Sequence, residues 1–341
     1  MTDIFNFAQT VAPARKKGTF VFCLAVCSLG LSIFASARQP TIISFDVPGA
    51  TTTFPTSINS KGMITGFYFS SDNVYHGFLR TPDGTILTFD PSGSISTQPT
   101  SINSSGTVTG FYRDANFGEH GFLRTREGTI TSFDPPDGSY TQPSGINSAG
   151  VITGSFSDAS GGGGFLRARD GTYITVRSTA PSSINPAGEI TGLSRNASGL
   201  HGFLRASDGE ITIFDPPGAI FTNAISINPA GAITGWYING DSFAGHGFLR
   251  NRNGTITTFD PPGSTFTHTA GINPSGAITG NYFDGVLQHG FLRTRGGMFS
   301  VFDPIGSLFT QTTGISASGT IGNYTDASFG VHGFVRVLLN Q

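Results

Sequence analysis

Between Thr41 and Val337 apolar residues come in short runs of four to six residues separated by polar, Gly-containing breaks, the pattern of short β-strands. In the first unit the runs are Thr56 to Asn59, Met63 to Tyr68, His76 to Thr81 and Thr85 to Asp90, here lettered a to d from inside to outside. The breaks carry turn chemistry: Asn-x-x-Gly follows a, and Asp83-Gly84 follows c. Within strand c, His-Gly-Phe-Leu-Arg begins at His76, His120, His201, His246 and His289. A Val variant begins at His332, and a degenerate copy reads Gly163-Gly164-Phe165-Leu166-Arg167. Successive copies are 44, 43, 38, 45, 43 and 43 residues apart.

A period near 43 residues with four strands per unit predicts propeller blades. The expected fold is all-β, a seven-bladed β-propeller with four antiparallel strands per blade. Blades end near residues 90, 134, 177, 215, 260 and 303, and the last spans 307–337. That last blade lacks strand d, whereas the chain opens with an orphan strand d, Thr41-Ile-Ile-Ser-Phe45-Asp46. Joining the two, residues 307–337 plus 41–46, closes the ring and removes exposed sheet edges. An open solenoid is the competing architecture, but it has no need of this circular offset.

Composition agrees with strands. Only 12% of residues are charged, against about 25% in average proteins. The 48 Gly and 31 Phe, with abundant Thr, Ser and Ile, favour short strands and tight turns over helices. Residues 1–37 read as a signal peptide: Arg15-Lys16-Lys17, an apolar run from Gly18 to Phe34, and the cleavable pattern Ala35-Ser36-Ala37. An uncleaved N-terminal anchor is the alternative. Both Cys, Cys23 and Cys27, lie in that segment, so residues 38–341, a single domain, are expected to be Cys-free in a secreted, periplasmic or cell-surface setting. That domain holds 16 basic against 20 acidic residues, with no basic tract. Nucleic acid is therefore excluded as a partner, as is a membrane apart from the signal segment, and a monomer is expected.

Six His at a fixed period suggest metal or catalysis until the register is considered. His76 and Asp90 are equidistant from the Asp83 turn and so lie opposite one another. The 14-residue separation recurs for His120/Asp134, His201/Asp215, His246/Asp260 and His289/Asp303, and His332 would meet Asp46 across the closure. The third unit loses both partners together, leaving Gly163 opposite Arg177. These are expected to be structural His–Asp pairs, each contributing about 0.2–1 kcal/mol. No metal is expected, because the His lie on different blades without close ligand spacing. The Asp-x-x-Gly segments after strand d lack the alternating carboxylates of a calcium loop, and no cofactor is expected. Phe89 should lie over Gly77 and Phe133 over Gly121, while the Arg series from Arg80 to Arg336 should point its heads to carbonyls or solvent.

Function is expected on the rim formed by the b–c loops, the part of each unit that varies. Tyr75, Phe117, Phe243 and Phe329 are the candidate ligand contacts there. One asymmetry stands out: the interval from the strand-d Asp to the residue closing the next strand a is 13 residues in six copies, but Arg177 to Asn185 is eight. A notch between the third and fourth blades should result.

The units resemble bacterial extracellular repeats named for a His-Ala-Phe core, here His-Gly-Phe, followed by Asp-Gly-Thr-Ile and Phe-Asp-Pro-Pro-Gly. The resemblance covers residues 41–337 and departs in using Gly at positions such as Gly77 and Gly121. It implies an exported β-propeller and implies no activity. Two classes of function follow. One is a non-catalytic recognition or scaffold module for a glycan or an extracellular or cell-surface protein. The other is a polysaccharide hydrolase or lyase, which needs side chains outside the repeat; those are Glu119, Glu189, Glu210, Asp241 and His268, with His268 expected near the inner end of a d–a connection.

Overall fold

The computed structural model describes residues 40–337, and every regular element among them is a β-strand. The expected signal segment, with Cys23 and Cys27, lies outside the described residues. In the first unit strands a to d are Ala50–Ile58, Ile64–Ser70, Tyr75–Arg80 and Ile86–Phe89, each antiparallel to the next. The same order recurs in units whose a strands begin at Ser94, Tyr140, Thr179, Ala219 and Phe266. After Ser307–Ile315, Gly319–Asp326 and Val331–Val337, the outer position is taken by Ile42–Phe45. Ile43 lies opposite Val335 and Phe45 opposite Gly333 in that antiparallel pair. Single parallel bridges, such as Val331 to Thr52, merge neighbouring units into sheets of 12, 8 and 8 strands, none closed on itself.

Strand a is longer than its apolar run indicates. Ala50-Thr-Thr-Thr-Phe54 reads as a polar connection, yet it is strand, paired with Phe67 to Ser70 of strand b, with register shifts between Ala50 and Thr52 and between Pro55 and Ser57. The true link from strand d, between Phe45 and Ala50, is a short turn.

Packing within and between units follows the repeat. Phe78, Phe122, Phe165, Phe203, Phe248, Phe291 and Phe334 are all fully buried. Phe122 meets Phe89 of the preceding unit edge-on at 6.0 Å, and Phe78 meets Phe45 in the same way at 6.2 Å. A Cβ on Gly121 would lie 2.5 Å from the Phe133 ring, so only Gly admits that ring. The Arg heads reach carbonyls as expected, Arg124 Nη1 donating to Thr125 O at 3.2 Å and Arg80 Nη1 to Thr81 O at 3.4 Å. They also lie over rings that the sequence did not indicate: the Arg124 guanidinium is 4.9 Å from the centre of the Phe89 ring, and Arg80 is 4.8 Å from Phe45. Low local polarity favours the ring face over an exposed position. Among the described residues Arg205 has no such ring partner, because Val176 stands where the other units carry Phe.

A hydrogen-bonded belt links the a–b turns. Asn59 Oδ1 accepts from the Lys61 and Met63 amides at 3.0 Å, while its Nδ2 donates to Asn103 O of the next unit, also at 3.0 Å. Asn103, Asn147, Asn185, Asn228 and Asn273 repeat the link to the following unit. Where Ser316 replaces Asn, Ser318 Oγ donates to Asn59 O at 3.1 Å. The belt thus serves both the local turn and the inter-unit contact, each bond contributing about 1 kcal/mol net. A cavity of about 170 Å³ is lined by a-strand residues of all the units, among them Thr56, Thr100, Ser144, Ser183, Ser226 and Thr313.

Candidate recognition rim

Strand c carries its His to the end next to the b–c loop. His76 Nδ1 lies 2.7 Å from Asp90 Oδ2, and the same distance joins His120/Asp134, His201/Asp215, His246/Asp260 and His289/Asp303. His332 and Asp46 are 2.9 Å apart. The second Asp oxygen accepts from a Thr in strand a of the next unit: Thr141, Thr222, Thr267 and Thr310 each donate at 2.5 Å to Asp134, Asp215, Asp260 and Asp303. In the third unit Gly163 faces Arg177, whose guanidinium grips Asp158 at 2.6 and 3.1 Å and covers the Phe156 ring.

The outer nitrogen of four imidazoles meets a second acid, from the b–c loop (Asp72, Asp284) or the last residue of strand b (Asp114, Asp326). His76 Nε2 lies 3.3 Å from Asp72, His289 Nε2 3.2 Å from Asp284, and His332 Nε2 3.3 Å from Asp326. His120 Nε2 lies 3.5 Å from Asp114. Carboxylates on both nitrogens favour the imidazolium. For His120 the Asp134 hydrogen bond leads in raising the pKa above its ordinary value. For His76, His289 and His332 burial pulls the pKa down, but the paired acids outweigh it and the net direction is upward. Asp326 accepts from Ser328 Oγ and the Gly330 amide, which hold its carboxyl down at about 2. A Tyr ring also lies against the imidazole, as Tyr112 does at 5.4 Å from His120. With both nitrogens engaged and one ring face covered, these His are poorly suited to proton transfer with a substrate. Sequence reasoning missed these second acids; the available signal is an Asp four to six residues before each of these four His.

The four candidate contacts separate into two kinds. Tyr75 is half-buried and packs 5.4 Å from Phe67 and 5.0 Å from Phe69, because the b strand beside it is aromatic. Phe117, Phe243 and Phe329 are 65, 73 and 78% exposed. All three have left-handed backbone, with φ of 65, 54 and 64°, where a bulky side chain costs roughly 1–2 kcal/mol. Asn73 fills the same conformation in the first unit's loop.

The non-repeating acids and His268 are not brought together. Glu119 is buried, with one oxygen 2.6 Å from Arg113 Nη2 and the other 2.6 Å from Gln142 Nε2. Asp241 is exposed on its b–c loop, where its amide donates to Asn239 Oδ1. His268 lies within strand a, Phe266–Ile272, rather than in a connection. Its ring lies tilted against Trp236, 4.9 Å between centres, and burial pushes its pKa down. No hydrogen bond or ion pair among the described residues joins any two of these three. Of the remaining outliers, Glu189 bonds to Asn185 Nδ2 and Glu210 lies in a c–d turn. Among the described residues no cluster of three His, Asp or Glu is able to hold a metal ion.

At the short connection, strand d (Tyr173–Arg177) and the next strand a (Thr179–Ile184) are separated by Ser178 alone, at φ 60°. That strand a has six residues, where Ala50–Ile58 and Ala219–Ile227 have nine. In the fifth unit Trp236 of strand b is covered by Phe266 and His268 of the following unit. Its counterpart in the third unit is Ser155, opposite Gln142 as Trp236 is opposite Asn223. The small side chain and the missing cover leave a cavity of about 230 Å³ lined by Tyr140, Gln142, Ser155, Phe156 and Ser157.

No family model and no curated protein sequence matches the chain. Solved structures do. A streptogramin B lyase is 14% identical, with a TM-score of 0.57 over 87% of this chain and 98% of that one. The β-propeller domain of the trilobed protease from Pyrococcus furiosus, which has an open velcro topology, is 9% identical, with a TM-score of 0.59 over 84% and 94%. The acylaminoacyl peptidase of Pyrococcus horikoshii gives 10% and 0.57, over 84% of this chain and 51% of the peptidase. At these identities the likeness concerns architecture alone, and the fold it defines is a β-propeller.

Proposed function

We propose that the chain is an exported, monomeric, seven-bladed β-propeller of the His-Ala-Phe repeat type, closed by residues 41–46, which acts as a non-catalytic recognition or scaffold module. The belt of turn hydrogen bonds returning to Asn59 supports closure. So do the Thr313 Oγ1 to Pro55 O bond, which repeats Thr56 to Pro99, and a central cavity bordered by every a strand. In this respect it differs from the open velcro topology of the Pyrococcus furiosus domain.

The observation that carries the function is the set of three exposed Phe held in left-handed backbone on the b–c loops. Bulky side chains at positions suited to Gly or Asn reduce stability, and a glycan or extracellular protein ligand on that rim gives them a use. The hydrolase or lyase alternative draws no support from Glu119, whose oxygens are both occupied, or from the separation of Asp241 and His268.

A glycan array combined with polysaccharide hydrolysis assays on the full chain tests the reading. Binding without product is expected, weakened by combined Phe117→Ser, Phe243→Ser and Phe329→Ser changes that leave the melting temperature no lower. Turnover abolished by Asp241→Ala or His268→Ala would overturn it.

A further inference from the structure

The cavity beside the shortened connection combines two independent departures from the repeat. Strand a of the fourth unit starts too late to cover its neighbour, and Ser155 stands where the fifth unit carries Trp236. Either change alone leaves less open space: a Trp at position 155 would fill the gap, and a full-length strand would cover it. Together they expose one face of the third unit's inner hairpin, on which Tyr140 lies opposite Ser157 and Gln142 opposite Ser155.

The chemistry of that face is specific. Tyr140 is 49% exposed and offers a ring surface. Among the described residues its hydroxyl and those of Ser155 and Ser157 make no hydrogen bond, and Gln142 spends only its Nε2, on Glu119, leaving its carbonyl oxygen free. The nearby charges are already matched, Glu119 with Arg113 and Gln142, and Arg177 with Asp158. The lining therefore presents an aromatic plane, three hydroxyls and an amide oxygen, without net charge. At about 230 Å³ the space lies below the roughly 300–1,000 Å³ of pockets that enclose drug-sized ligands. It suits one ring of a larger molecule rather than the whole.

We infer that this notch is a subsite for a single neutral sugar ring of a glycan chain, with Tyr140 stacking on its apolar face and Ser155, Ser157 and Gln142 bonding its hydroxyls. The inference rests on the recognition reading and names the ligand class and location within it. A charged sugar would find no counter-ion here, since the adjacent Arg side chains are already engaged. A peptide segment would have no apolar recess other than the Tyr140 ring.

The test is calorimetric titration of the full chain with neutral trisaccharides (gluco-, xylo-, manno- and galacto-configured) and with a uronate trisaccharide. A neutral trisaccharide should bind. Tyr140→Ala should weaken it at least tenfold, Tyr140→Phe should retain most of it, and Ser155→Trp, which introduces the side chain the fifth unit already accommodates, should abolish it. Arg126→Ala, at an exposed c–d turn away from the rim, should leave it unchanged, and circular dichroism of each variant checks the fold. If a neutral trisaccharide binds equally well to folded Ser155→Trp, the notch assignment is overturned while glycan recognition stands. Binding of the uronate alone, or of array glycans but no neutral trisaccharide, also overturns the notch and leaves the wider reading intact. If neither trisaccharides nor array glycans bind, both fall on the glycan question.

Discussion

Replacing Asp134 with Ala removes the acceptor for two side chains in two different units. Thr141 is fully buried, and its 2.5 Å bond to Asp134 Oδ1 has no substitute nearby. Leaving such a hydroxyl unpaired costs about 1–3 kcal/mol. On the other side, His120 and Asp134 are each about 30% exposed, so losing their pair adds only about 0.2–1 kcal/mol. Asp134→Ala is therefore expected to cost about 2–3 kcal/mol and His120→Ala at most about 1 kcal/mol. Thr141→Val removes the buried donor as well, so the double variant with Asp134→Ala should recover about 1–2 kcal/mol relative to the sum of the singles. Urea unfolding followed by fluorescence of the single Trp, Trp236, measures each corner of the cycle. If the two changes add within about 0.5 kcal/mol, the claim that this carboxylate ties neighbouring units together is refuted.

The four imidazoles flanked by two acids bind protons more tightly in the folded chain than in the unfolded one. Their contribution is therefore full below the ordinary value of 6.5 and is lost as pH rises through the raised folded values. Thermal melts from pH 5 upward should show this decline, and combined Asp72→Asn, Asp114→Asn, Asp284→Asn and Asp326→Asn changes should flatten it. Asp326 itself acts in the opposite sense, stabilising above its ordinary 3.8 and ceasing to do so as pH falls through about 2. Gly121→Val should cost about 1–3 kcal/mol because its Cβ collides with the Phe133 ring, an effect read from the same urea curves. Arg124→Met should lose about 1 kcal/mol more than Arg205→Met, since Phe89 lies under Arg124 whereas Val176 takes the Phe position beside Arg205.

The strand pattern and the pairing of His with Asp were legible because both obey a fixed period, and a separation of 14 residues about a tight turn determines which residues face each other. Strand a was only partly legible, since its Thr-rich first half looks like loop and the bulge at Pro55 breaks the alternation. The cation–π position of Arg124 was hidden because it depends on a ring in the preceding unit, 35 residues back in the chain. At the rim, the short connection and the notch it leaves could be counted, but the lining of the cavity could not: it needed the coincidence of Ser155 with the late start at Thr179, on strands of different units. The packing of Tyr75 is a contact within one hairpin, since Phe67 and Phe69 lie on the strand b paired with it.

Ring closure by the first strand underlies the whole account, and it can be measured by cross-linking. Val337 N donates to Thr41 O at 2.9 Å, so these residues face each other as a hydrogen-bonded antiparallel pair. The Cα separation of such pairs, about 5.5 Å, falls within the range a disulfide spans. In a chain with Cys23→Ser and Cys27→Ser, the added pair Thr41→Cys and Val337→Cys should oxidise quantitatively within one molecule and raise the melting temperature. Reduced thiols persisting under mild oxidant, or disulfides forming only between molecules, would contradict closure.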